Sequence, residues 1–145
     1  MLAQLIYASE ASAPMRIGDV EGILKEARRK NRLLDMTGIL LFDRQFFLQV
    51  IEGDPQQLSD LYARLVSDSR HKRLKILQFD EITERRFGDW SMGFAAASES
   101  HQQVYLQYGA TRLFDPYHLS ASAALGIIRA LGQSGALDVA DRLAA

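Results

Sequence analysis

Phe46-Phe47-Leu48-Gln49-Val50-Ile51-Glu52-Gly53 is the stretch against which the rest of the chain is read. It is short, apolar, aromatic and β-branched, and it ends at a glycine, which is the signature of a β-strand. Alternation places Phe47, Gln49 and Ile51 on one face and Phe46, Leu48, Val50 and Glu52 on the other. The anomaly is the amide. A Gln between Phe47 and Ile51 is at least partly buried, and each of its polar groups left unpaired costs about 1–3 kcal/mol. Two readings of Gln49 stand on these residues alone: an ordinary amide satisfied by a neighbouring loop, or an amide kept for a functional partner.

Working outward, Met36 to Phe42 is continuously apolar and reads as an interior strand. The short polar connection Asp43-Arg44-Gln45 makes it an antiparallel hairpin with the Phe46 strand. On the other side, Gly53-Asp54-Pro55 starts a helix, with Asp54 as N-cap and Pro55 at the first helical position. That helix runs to about Ser67. Leu58, Leu61, Tyr62, Leu65 and Val66 form its buried side, and Arg64 lies beside them. Upstream, Leu2 to Ala8 reads as a first strand with Ala3, Leu5 and Tyr7 on one face. The helix from about Ile17 to Arg32 carries the stripe Val20, Leu24, Ala27 and Asn31, widened by Ile17 and Ile23. Lys25, Glu26, Arg28, Arg29 and Lys30 form its wet face. Asn31 thus ends the apolar stripe, either as a helix-terminal residue or as a ligand contact.

Downstream, Ser67 to His71 closes the second helix and Leu74 to Phe79 reads as a fourth strand. Arg85 to Asp89 is a turn, and Trp90 to Ala96 is a fifth strand with Trp90, Met92 and Phe94 on one face. The order β-α-β-β-α-β-β predicts an α+β ferredoxin-like sandwich: a mixed sheet with two helices on one face. From about His101 the character changes. Asp115-Pro116 is expected to cap a helix whose stripe is Ala124, Ile127, Ile128 and Leu131. This tail is expected to cover the sheet's other face or to meet another subunit, and its apolar stripe points to a homo-oligomer.

The chain has 145 residues, 48% hydrophobic and 24% charged, which suits one domain with an appended helical piece. A net charge of −1 favours neither nucleic acid nor an anionic membrane as partner. The absence of cysteine excludes disulfides, thiolate nucleophiles and flavin–cysteine adducts. No basic leader precedes a long apolar run, so the expected location is the cytoplasm. There is no Gly-rich phosphate loop with a Walker lysine and no Gly-x-Ser-x-Gly elbow, and His71, His101 and His118 are scattered. The residues describe a ferredoxin-like domain with no hydrolase or metal signature, of a kind that binds ligands or regulates partners, and do not name a ligand.

The chain resembles the BLUF family of blue-light sensors that use FAD, over roughly Leu2 to Ala97. The resemblance is carried by Leu5-Ile6-Tyr7-Ala8-Ser9, by Asn31 seven residues before Gly38, by Phe46 to Gly53, by Asp68-Ser69-Arg70-His71, and by Arg86-Phe87 with Trp90-Ser91-Met92. Each is weak alone; five in order at the family's spacing are specific. It implies a flavin-binding domain over 1–97 and a C-terminal helical extension over 98–145, as in short single-domain members.

The resemblance also implies roles. Tyr7 matches the tyrosine that gives an electron and a proton to the excited flavin, and Gln49 matches the glutamine between that tyrosine and the ring. Asn31 matches the asparagine that holds the ring's pyrimidine edge. Ile23 and Leu65 match the residues clamping the ring's faces, with Phe47 near it. Arg64, Asp68 and His71 fall where the family handles the ribityl chain, the phosphate or the nearby loop. Lys30 stands where members often carry Asn or His. Trp90 or Met92 would relay the change at Gln49 through the fifth strand to the tail, and so to a separate downstream signalling protein. Two alternatives remain: a flavin-dependent oxidoreductase, and a ferredoxin-like adaptor without flavin.

Overall fold

The computed structural model describes residues 1–88, 92–96 and 101–133. Five strands form one sheet: β1 (Leu2–Ala11), β2 (Thr37–Asp43), β3 (Phe46–Gly53), β4 (His71–Ile82) and β5 (Gly93–Ala96). Their order across the sheet is β4-β1-β3-β2-β5. All pairings are antiparallel except β2 with β5. Helices α1 (Ile17–Leu33) and α2 (Pro55–Ser67) pack on one face. This is the expected α+β sandwich.

The β2–β3 hairpin turns on Arg44 and Gln45, both with positive φ, 52° and 68°. That is the type I′ pattern, whose twist matches that of paired strands. Neither residue is the glycine such a turn favours, and both are pinned from outside. The Gln45 amide exchanges two hydrogen bonds with the Met15 backbone, at 2.8 and 3.1 Å. The Arg44 guanidinium donates to the Phe114 carbonyl at 3.2 Å. Gly38 is required on β2 because a Cβ there would collide with the Val50 carbonyl of β3.

The alternation read along β3 holds. Phe47 and Ile51 join the core under α1 and α2 with Tyr7, Leu24 and Leu58. Leu48 and Val50 join a second core on the opposite face with Ile6, Ile39 and Leu41. The tail supplies the rest of that second core: Tyr105 from α3 (Gln102–Tyr108), Phe114, and Ala124, Ile127, Ile128 and Leu131 from α4 (Ala121–Gln133). The apolar stripe that suggested self-association is therefore buried against the chain's own sheet.

Several boundaries and faces differ from expectation. β1 and β4 are longer than their apolar runs because they pair along nearly their whole lengths, Leu2 opposite Ile82 and Ala11 opposite His71. Backbone pairing carries a strand beyond its hydrophobic stretch. Asp115-Pro116 opens only a three-residue 3₁₀ turn, and α4 begins after Ser120, whose Oγ accepts from the Ala123 N–H at 3.1 Å. Ile17 and Val66 are 50% and 60% exposed, not core. Ile17 is the first residue of its helix, and Val66 lies about 100° round α2 from Leu65. Of the expected fifth strand, Gly93–Ala96 forms β5, while Trp90 lies outside the described residues.

Candidate functional site

Between α1 and α2, above β1 and β3, lies a mostly apolar cleft that opens to solvent. Tyr7, Ile23, Asn31, Phe47, Gln49, Arg64, Leu65, Asp68 and His71 all line it. Local structure explains how each arrives. Tyr7 and Gln49 are direct cross-strand partners on β1 and β3, and Phe47 precedes Gln49 on the same face. Ile23 and Asn31 come from the inner side of α1, and Leu65 from α2. Asn31 also ends its helix: its carbonyl accepts from the Leu34 and Met36 N–H groups, and Asp35 turns the chain with φ 53°.

The floor is a buried polar chain. The Tyr7 hydroxyl donates to Gln49 Oε1. Gln49 Nε2 donates to the Met92 Sδ at 3.4 Å. The sulfur can only accept and the hydroxyl can donate, so this amide orientation satisfies both neighbours. A thioether is nonetheless a weak acceptor, so one end of the amide is held firmly and the other loosely. Burial pushes the Tyr7 phenol well above the usual tyrosine range, with Tyr62 and Asp68 adding to the shift, so Tyr7 is a protonated donor. The Tyr62 ring meets Tyr7 edge-on at 6.1 Å.

The mouth is ionic. The Arg70 side chain beside Asp68 holds that carboxyl at about 2 despite partial burial, through a 2.6 Å ion pair. His71 bridges the strand and helix, with Nδ1 at 3.0 Å from Ser9 Oγ and Nε2 at 3.0 Å from the Leu65 carbonyl. A carbonyl only accepts, so a neutral His71 carries its proton on Nε2 and accepts a hydrogen bond from the Ser9 hydroxyl at Nδ1. Desolvation lowers the His71 pKa, against the pull of Asp68, which favours that neutral form. Lys30 lines the cleft as well and pairs with Glu26 at 2.9 Å. Arg64 is exposed at the rim.

Three polar residues escaped sequence reading: Arg70 at the cleft mouth, Arg28 behind Met92, and Glu52 on the opposite face of the sheet. Arg70 looked like part of a polar turn, although Asp68 Oδ1 accepts its backbone N–H at 2.9 Å, and an Asp two residues before an Arg is a recognisable turn signal. Arg28 was assigned to the wet face of α1, yet it is half-buried and its Nε donates to the Met92 carbonyl at 3.0 Å. Glu52 is fully buried and accepts from Thr37 Oγ1 and from the Arg86 and Phe87 N–H groups, at 2.9, 2.6 and 3.0 Å. Nothing local in the sequence marks the last two. Among the described residues no group of three or more His, Cys, Asp or Glu is placed to hold a metal, and no helix is long and apolar enough to cross a membrane.

Comparison with known proteins places the chain in a family. The family model described as "BLUF: Sensors of blue-light using FAD" matches residues 2–93. The chain belongs to that family of blue-light-sensing, flavin-binding proteins. It is 36% identical over 92 residues to the blue light- and temperature-regulated antirepressor BluF of Escherichia coli K12, covering 63% of this chain and 23% of that protein. It is 33% identical over 93 residues to the photoactivated adenylate cyclase subunit beta of Euglena longa, covering 63% of this chain and 11% of that one. The chain thus spans less than a quarter of the length of these curated relatives. In structure it is similar to BlsA in its photo-activated state, with TM-score 0.81 and 28% identity over 90% of this chain and 94% of that one.

Proposed function

We propose that the chain is a cytoplasmic blue-light photoreceptor that holds FAD non-covalently in this cleft, responds through Tyr7 and Gln49, and signals to a separate partner protein rather than acting as an enzyme. The observation that carries the reading is the Gln49 amide, buried on the cleft floor between the Tyr7 hydroxyl and the Met92 sulfur. The residues present fit a flavin. Ile23 and Leu65 offer apolar walls from two helices, Phe47 lies beside the Gln49 floor, Asn31 is a buried amide at one end, and Arg64 stands at a rim that also carries the Lys30–Glu26 and Arg70–Asp68 pairs. Asn31 would hold the polar edge of the ring. Arg64, Asp68 and His71 would manage the ribityl and phosphate portion.

Bound flavin supplies absorption of blue light and an excited state able to take up an electron. Tyr7 would give up that electron while its hydroxyl proton moves along the existing bond toward Gln49 Oε1, so no tyrosine radical cation forms in a buried site, and Tyr7 would then take both back, leaving only the amide changed. The Gln49 amide then rearranges, by rotation or tautomerisation, because its other end is tied only to a sulfur. The rearranged amide presents a new hydrogen bond inside the cleft, read as a small red shift. Met92 loses its donor and carries the change toward β5. The relatives named as a cyclase subunit and an antirepressor support a signalling output. With no cysteine, no thiol adduct competes.

The test is the absorption spectrum of the purified protein in the dark and just after blue light. A flavin spectrum that moves to the red and recovers in the dark is the expected result. An unmoved flavin spectrum, or one that simply bleaches, with NADH as reductant, would transfer the reading to an oxidoreductase. Protein without flavin would leave an adaptor domain.

A further inference from the structure

The outward side of α1 is a run of charge in which Lys25, Glu26, Arg29 and Lys30 are exposed, but Arg28 is half-buried. Its Nε reaches 64 residues along the chain to donate to the Met92 carbonyl at 3.0 Å. Met92 immediately precedes β5, a four-residue edge strand that among the described residues pairs with β2. A short edge strand is weakly held by its own ladder, so a charged donor at its start has disproportionate influence on where it sits. The same residue has its side chain fully buried with Sδ on the Gln49 amide. Among the contacts of Met92 are one from its sulfur to Gln49 and one from its carbonyl to Arg28. The carbonyl grip comes from the helix that also delivers Ile23 and Asn31 to the cleft.

We propose that Arg28 is a positioning residue: it keeps the Met92 backbone in place while the sulfur contact to Gln49 is broken, and so sets how quickly the light-induced state returns to the dark state. The inference rests on the photoreceptor reading above. When Gln49 turns away from the sulfur, the carbonyl grip remains, and Met92 has a short path back. Without that grip the Met92 backbone is held less firmly and the return is slower.

The experiment uses the protein as purified, with the ε-methyl groups of its four methionines labelled with ¹³C. The Met92 signal is identified by Met92→Leu. Arg28→Ala removes the grip. Arg28→Lys keeps charge and much of the stem but cannot place a nitrogen as Nε does, and it carries the test if the Ala variant does not fold. The expected result is a displaced or broadened Met92 methyl signal in the dark, a red shift of unchanged size, and dark recovery slowed about tenfold in Arg28→Ala and less in Arg28→Lys. A Met92 signal identical to wild type, or recovery within about twofold of it, overturns the proposal. A wild-type protein with no reversible red shift sinks the photoreceptor reading instead, and the dark methyl signal then decides the Arg28 grip by itself.

Discussion

The two faces of the sheet treat buried polar groups in opposite ways, and β3 shows both. Glu52 points to the tail-covered side, where its carboxylate meets a hydroxyl and two backbone N–H groups. These partners are strong donors, and they tie the loop at Arg86 and Phe87 to the strand. Gln49, three residues earlier, points to the helix-covered side and has a phenol at one end and a thioether at the other. The tail side is filled by Phe114, Ile127, Ile128 and Leu131, while the helix side keeps an open cleft. A fully satisfied polar group specifies a fold. A group satisfied firmly at one end and loosely at the other can be rearranged at small cost, and that is what a sensor requires.

If that contrast is right, removing polarity from the helix side should abolish response with little loss of fold. Gln49→Leu is expected to retain flavin and lose the whole red shift, and Tyr7→Phe to do the same. Absorption difference spectra check both, and a normal shift in Tyr7→Phe would refute the mechanism. The tail side should behave in the reverse manner. Ile127→Ala empties a fully packed position and should cost about 2–5 kcal/mol of stability while the folded protein keeps its red shift. Chemical denaturation with a parallel light–dark spectrum separates the two. Glu52→Gln keeps the shape but turns one acceptor into a donor facing donors, which should cost about 1–3 kcal/mol; no loss would mean that the carboxylate's bonds are dispensable.

The smallest effect sharpens the contrast at the cleft mouth. The fold lowers the His71 pKa below its ordinary value of 6.5 because burial disfavours the cation. The stability tied to neutral His71 is therefore complete above that ordinary value and is lost as pH falls through the lowered one. Melting temperature should fall modestly between neutral pH and about pH 5, and less so in His71→Gln. Asp68, held at about 2, contributes its own loss only in the more acid range below its ordinary 3.8.

Much of this molecule was legible in the chain itself, and the reasons are local. Period-two alternation assigns Phe47, Gln49 and Ile51 to one face whatever they pack against. Asp54-Pro55 starts α2 as expected, its side chain accepting the Gln57 N–H at 3.1 Å. The short polar connection Asp43-Arg44-Gln45 marked the hairpin, and in the structure Asp43 is the last residue of β2. Asn31 stood out as the polar end of an apolar stripe, whereas Tyr7 by itself read as strand packing. Resemblance then joined them into a site, which alternation by itself could not do.

Other features were beyond any local reading. Arg28 lies in a charged run indistinguishable from a solvated face, and its partner is 64 residues away. Glu52 looked like an ordinary strand-end carboxylate until the loop at Arg86 and Phe87 folded onto it. The start of α4 depended on Ser120 and on packing against the sheet rather than on the Asp115-Pro116 signal. The sequence by itself determined which side of each strand and helix is apolar, because side-chain direction follows from backbone period within a few residues. Only the tertiary structure decided which polar groups meet and how strongly, because hydrogen bonds such as Tyr7 to Gln49, 42 residues apart, exist only once the strands are in register.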